Sequence, residues 1–140
     1  MNFDTVTPDE FGASLTGLGV NLLVKNTHIT VDFLVQVFGM SAHRVSDDFA
    51  IIRFQDHIFQ LHADHTFSAH PVLGLVPETP PRGAGAQFYL FGVDPVAAVA
   101  RAKHWGAHIL EAPKSKPHGL CEACIMCPDG YVWSPALAKQ

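Results

Sequence analysis

Two stretches of this chain gather side chains able to do chemistry. His62-Ala63-Asp64-His65 sets two imidazoles and a carboxylate within four residues, with His57 nearby, and Cys121-Glu122-Ala123-Cys124-Ile125-Met126-Cys127 repeats cysteine at every third position. Imidazole titrates near neutrality and is the commonest metal ligand, while thiolates hold zinc and iron–sulfur clusters. His62 is a candidate general base, and His62, Asp64 and His65 together are a candidate divalent-metal cluster. At the end of a strand His62 and Asp64 share a face while His65 falls in the turn, so a three-ligand site needs a bent backbone. Without a metal, Asp64 would bond nearby backbone amides in a turn. In the cysteine run, positions three apart on an extended strand point to opposite faces, and no second cysteine pair follows. Small buried hydrophobes are the better reading, with Cys127 in the turn Cys127-Pro128-Asp129-Gly130 placed to react as a thiol sensor. Lys114-Ser115-Lys116-Pro117-His118-Gly119 reads as a solvated basic loop. His104 and His108 flank a helix end, where imidazolium is favoured, and His28, His43 and His70 give no signal beyond turns and surface.

The elements that must position these residues follow from periodicity and punctuation. A polar lead, 1–16, precedes a first unit, 17–67. Gly19–Lys25 is short and apolar and reads as a buried strand. Thr27 is the expected cap of a helix whose Ile29, Phe33, Val37 and Phe38 recur at helical steps, and Gly39 ends it. Ser41–Val45, Phe49–Phe54 and His57–His62 follow as strands, the last two joined at Gln55-Asp56. The segment 68–85 carries Pro71, Pro77, Pro80 and Pro81 with Gly74, Gly83 and Gly85 and reads as a linker. The order then restarts in 86–140: a strand Ala86–Val93, a helix opened by Asp94-Pro95 and stopped at Gly106, and strands Ala107–Glu111, Leu120–Met126 and Tyr131–Ser134. Both halves read βαβββ, and Phe38-Gly39-Met40-Ser41-Ala42-His43 is similar to Trp105-Gly106-Ala107-His108, which argues for an internal repeat.

Composition narrows the function. With 48% hydrophobic and 16% charged residues in 140, the chain can bury a core without disulfide or metal staples, and one structural domain is expected. A net charge of −4 with no basic run argues against nucleic acid. Lys25, Asp32 and Arg101 interrupt the best apolar windows, so no membrane span is expected. Met1–Ser14 holds Asp4, Asp9 and Glu10 with neither a positive region nor an apolar stretch, and three cysteines are no disulfide framework, so a cytoplasmic protein is expected.

The paired βαβββ units, the Phe-Gly-Met helix end, the Asp-Pro helix start and the closing run Pro117-His118-Gly119-Leu120…Pro128-Asp129-Gly130-Tyr131-Val132-Trp133 resemble the vicinal oxygen chelate superfamily. That superfamily includes glyoxalase I, extradiol dioxygenases and bleomycin-resistance proteins. The resemblance covers about Leu18 to Ala136. It implies an α+β fold, two βαβββ modules forming a curled mixed sheet around a cavity, often completed by a second subunit. It also implies metal-ligand slots at Gly19, Gln60, Gln87 and Ser134. Glycine has no donor, serine is a poor ligand, and neutral amides hold transition metals weakly, so the usual metal site reads as dismantled and no cofactor is expected, a displaced divalent metal being the alternative. Strand alternation then turns Asn21, Leu23, Ile58, Gln60, His62, Gln87, Tyr89, Phe91, Val132 and Ser134 toward the cavity. Relatives often carry Arg-Glu after the Gly-Leu of the seventh strand; here Cys121 stands at the arginine slot and Glu122 remains, a second candidate catalytic group. The expected function is a metal-independent small-molecule binding protein, a homodimer taking an apolar or aromatic ligand through Asn21, Gln60, His62, Gln87, Tyr89, Phe91 and Ser134. The alternative is a glyoxalase-like lyase, isomerase or dioxygenase-related enzyme with a displaced site.

Overall fold

A computed structural model describes residues 1–139, which divide into two compact units, residues 1–35 with 40–75 and residues 36–39 with 76–139. In order the elements are α1 (Pro8–Ser14), β1 (Asn21–Val24), α2 (Thr27–Phe38), β2 (Ser41–His43), β3 (Phe49–Phe54), β4 (His57–Ala63), β5 (Phe88–Phe91), α3 (Pro95–Trp105), β6 (His108–Ser115), β7 (Leu120–Met126) and β8 (Val132–Ala138), with short 3-10 turns at Asp64–Phe67 and Leu73–Leu75. Each unit contributes one four-stranded mixed sheet, ordered β1-β4-β3-β2 and β5-β8-β7-β6. In both, the first strand lies parallel to the last and the other pairs are antiparallel. The repeat read from residue order is thus a repeat of topology, the α+β arrangement of two βαβββ modules, with two separate sheets rather than a closed one.

In the first unit β3 is buried on both faces. Ala50 and Ile52 face one side of β3, while Ile51 faces the other and joins a cluster with Val6 and Phe11. That cluster belongs to an element absent from the sequence reading. The N-terminal lead is not merely polar: Thr7 caps α1, accepting from Glu10 N at 3.2 Å and donating to Glu10 Oε1 at 2.8 Å, with Pro8 at the first helical position. The threonine oxygen satisfies one of the amides that a short helix otherwise leaves bare, and the Glu10 carboxylate holds its hydroxyl in place. The cap of α2 also differs from expectation. Asn26 Oδ1 accepts from Ile29 N at 3.0 Å, and Thr27 is 1% exposed with its hydroxyl donating to Asp47 O. Asn26 is as good a cap as threonine and lies one residue earlier, so the side chain with room to reach the third amide takes the role.

In the second unit α3 matches its signals. Asp94 Oδ1 accepts from Val96 N at 2.9 Å, Pro95 opens the helix, and Gly106 closes it in the left-handed region at φ 96°. Its apolar face packs against β6, β7 and β8 through Ala98, Val99 and Ala102. Two strands run beyond their expected ends. β6 continues to Ser115 through register shifts on either side of Glu111, and as an edge strand it tolerates Pro113. β8 lies between β5 and β7 yet continues past Pro135 to Ala138. Its pairing with β7 steps from Ile125↔Trp133 to Glu122↔Ala136, so the residue lacking an amide proton sits where the ladder pauses.

Candidate functional site

The first unit carries a cavity of about 680 Å3. Its floor is β3 and β4, and its walls are α1, the segment before it, and the loop after β2. Val6, Phe11, Leu15, Phe49 and Ile51 make it mainly apolar, and Gln60, His62, Arg44 and Ser46 supply polar contacts. A concave apolar lining with a few placed polar groups is the usual makeup of a small-molecule site.

His62 is the most chemically prepared residue in it. β1 and β4 run parallel with Asn21↔Gln60 and Leu23↔His62 in register, which brings the Asn21 amide beside the imidazole. His62 Nδ1 and Asn21 Oδ1 are 2.6 Å apart. An amide oxygen accepts only, so Nδ1 carries the proton and Nε2 keeps its lone pair. Phe49 and Phe67 flank the ring at centroid distances of 4.9 and 5.1 Å. Burial among these rings disfavours the cation and holds the His62 pKa below its ordinary value. Near neutral pH the ring is therefore a fixed hydrogen-bond acceptor.

The sign of this shift gives a stability prediction. A folded-state pKa depressed below the unfolded one contributes stability that is present above the unfolded value and lost as pH falls through the folded value. The difference in unfolding free energy between the native protein and His62→Gln, followed from pH about 7.5 down to about 5, is expected to move in favour of the variant as pH falls. A difference that stays constant over that window means that His62 is not desolvated.

Other candidates separate. His65 Nε2 lies 2.6 Å from Asp48 Oδ1, whereas His62 is held by Asn21, so the two imidazoles of the proposed metal cluster turn to different partners. Among the described residues no group of three or more His, Cys, Asp or Glu is placed to hold a metal ion. Gln87, Cys124 and Ser134 meet in the second unit: Gln87 Nε2 donates to Ser134 Oγ at 2.8 Å, and Cys124 Sγ lies 3.4 Å from the same oxygen. Tyr89 and Phe91 stack in parallel at 5.3 Å and remain 39% and 56% exposed. Glu122 is 5% exposed, with Oε2 making no hydrogen bond and the His118 imidazole 3.9 Å away. The basic loop is not simply solvated, because Lys116 Nζ contacts Glu111 Oε1 at 2.5 Å, and this hydrogen bond holds the Glu111 carboxyl below its ordinary pKa and the Lys116 ammonium above. The thiol-sensor expectation for Cys127 fails on position: it is 3% exposed, and burial pushes its thiol up, which suppresses the thiolate needed for reaction.

Sequence reasoning missed the residues that wall the cavity. Asp4, Thr7, Phe11 and Arg44 line it, and His43 Nδ1 ties the lead down by contacting Asp4 Oδ1 at 2.9 Å. The signal that could have found part of this was Thr7-Pro8-Asp9-Glu10, a helix start in plain view.

No family model matches the chain, and no curated protein matches it. Solved structures do. A glyoxalase/bleomycin resistance protein/dioxygenase family enzyme from Burkholderia phytofirmans PsJN superposes with a TM-score of 0.72 at 19% identity, over 86% of this chain and 97% of that one. A glyoxalase/bleomycin resistance protein/dioxygenase from Nocardioides gives 0.66 at 16% identity over 93% and 91%. A glyoxalase-related enzyme from Fulvimarina pelagi gives 0.70 at 13% identity over 87% of each chain. The chain has the fold of glyoxalase/bleomycin-resistance/dioxygenase proteins. Among its described residues no helix is long and apolar enough to cross a membrane.

Proposed function

We propose that this protein is a small-molecule binding protein that holds an apolar or aromatic compound in the first-unit cavity without the metal usual in this fold. The observation carrying this is the cavity itself: about 680 Å3, walled by Phe11 and Ile51, with His62 fixed at its floor as an acceptor. The metal-free part rests on donor chemistry. Gln60 and Gln87 are neutral amides and Ser134 a hydroxyl already engaged by Gln87, a set with no charge to offer a transition metal. In this reading the protein is a cytoplasmic homodimer, for which the exposed Tyr89 and Phe91 supply apolar surface.

Native mass spectrometry of protein purified without added metal tests these statements together. The expected masses are those of a dimer with no stoichiometric zinc, nickel, iron or manganese, and one metal per chain overturns the metal-free reading. Titration with the neutral probe 2-naphthamide is expected to shift the His62 and Phe49 NMR resonances; unshifted resonances remove the cavity as a binding site.

A second reading is favoured by one observation, the Asn21–His62 contact at 2.6 Å, which leaves a neutral Nε2 able to take a proton. Turnover of a hemithioacetal, an epimerisable acid or a catechol that His62→Gln abolishes would make the protein an enzyme.

A further inference from the structure

We propose that the ligand of the first-unit cavity is an amphiphilic carboxylate, its apolar body against Phe11, Phe49 and Ile51 and its anionic head on the Arg44 guanidinium. This rests on the cavity reading above and adds the charge of the occupant. Arg44 stands just beyond β2 with φ 52°, in the left-handed region that a long side chain rarely adopts. The conformation is held because Nη1 donates to the Asp4 carbonyl at 3.2 Å. Backbone strain of this kind persists where surroundings impose it, and here it places a cation on the wall of an apolar cavity.

That cation is not neutralised. Among the described residues Arg44 makes no ion pair, and its bond to Asp4 uses the carbonyl and not the carboxylate. The Asp4 carboxylate, the one acidic side chain lining the cavity, is taken by His43 Nδ1 at 2.9 Å. Guanidinium presents donors in a planar fork, and with one terminal nitrogen on the carbonyl the remaining donors suit a carboxylate. The rest of the lining asks for a hydrophobic body, since Val6, Phe11 and Ile51 expose carbon to the cavity. His62 Nε2 offers an acceptor rather than a second cation, so a single negative charge fits the site better than two.

The test uses isosteres. Calorimetric titration near neutral pH compares 2-naphthoate with 2-naphthamide, while the His62 and Phe49 resonances report occupancy of the cavity. The naphthoate is expected to bind about 10-fold tighter, the scale of one charge-assisted hydrogen-bond pair. Arg44→Gln, an exposed substitution, is expected to equalise the two probes, and Arg44→Lys to restore part of the preference. Equal affinities in the native protein with both resonances shifting overturn the carboxylate and leave the cavity reading intact. If neither probe shifts those resonances, the cavity reading has failed, and the carboxylate with it.

Discussion

Phe11→Ala is expected to release the N-terminal segment from the first sheet and to open the cavity, while the rest of the unit stays folded. α1 has seven residues, too few to be stable alone in water, so its order depends on what it docks against. That docking is centred on Phe11. The ring is 7% exposed, meets Phe3 edge-on at 6.2 Å and Phe49 at 6.3 Å, and packs with Val6 and Ile51. Removing a buried phenylalanine side chain costs about 3 to 5 kcal/mol. Because the lost contacts belong to a terminal segment, the cost falls on local opening. Exchange of the hydrogen-bonded amides of α1, from Phe11 on, should accelerate by about 100-fold or more, since 1.4 kcal/mol is a factor of ten. The amides of Ala50–Ile52 should keep their protection. Unchanged exchange in α1 would show that the Thr7 cap and the Asp4–His43 contact hold it without the ring.

The second large effect lies in the other unit. Gly130→Ala is expected to destabilise the protein by about 2 to 5 kcal/mol, against about 1 kcal/mol for Gly106→Ala. Both glycines have positive φ, 86° and 96°, so both variants carry the conformational penalty. Only at Gly130 does the added methyl meet backbone. Its carbon would lie 2.9 Å from Arg82 N and 2.7 Å from Pro81 Cβ, with Pro81 Cα nearer still, whereas at Gly106 nothing lies within 4 Å. Backbone cannot rotate aside as a side chain can. The approach is pinned by Arg82 N donating to Asp129 O at 2.9 Å and Gly83 N to Gly130 O at 3.3 Å. Urea unfolding of the two variants side by side checks this; equal losses would mean that the close approach relaxes at little cost.

The parts of the fold legible in the sequence were those whose causes are local. Asp94-Pro95 and Gly106 delimit α3 because capping and left-handed termination involve residues two to four positions apart. Gln55-Asp56 joins β3 to β4 with Phe54 opposite His57, as a two-residue turn between alternating strands requires. Gln60 and His62, alternate residues of β4, both line the first-unit cavity. Legibility failed where a local rule met a longer-range compensation. The last strand was expected to end at Ser134, yet β5 and β7 on its two sides carry β8 through Pro135 to Ala138. The Thr7 cap is a weak signal by itself, because seven residues make a weak helix until Ile51 and Phe49, some forty positions on, give Phe11 a surface.

The candidate site divides in the same way. By itself the sequence determined the repeated βαβββ order and that Gln60 and His62 share one face of β4, because hydrophobic period and turn chemistry act over a few residues. Only the tertiary structure decided what surrounds that imidazole. The Asn21–His62, Asp4–His43 and Asp4–Arg44 contacts span 41, 39 and 40 residues. Contacts over such separations depend on strand order and on the docking of α1, which no short-range pattern encodes. They fix the tautomer of His62, close the cavity wall and leave Arg44 with donors to spare.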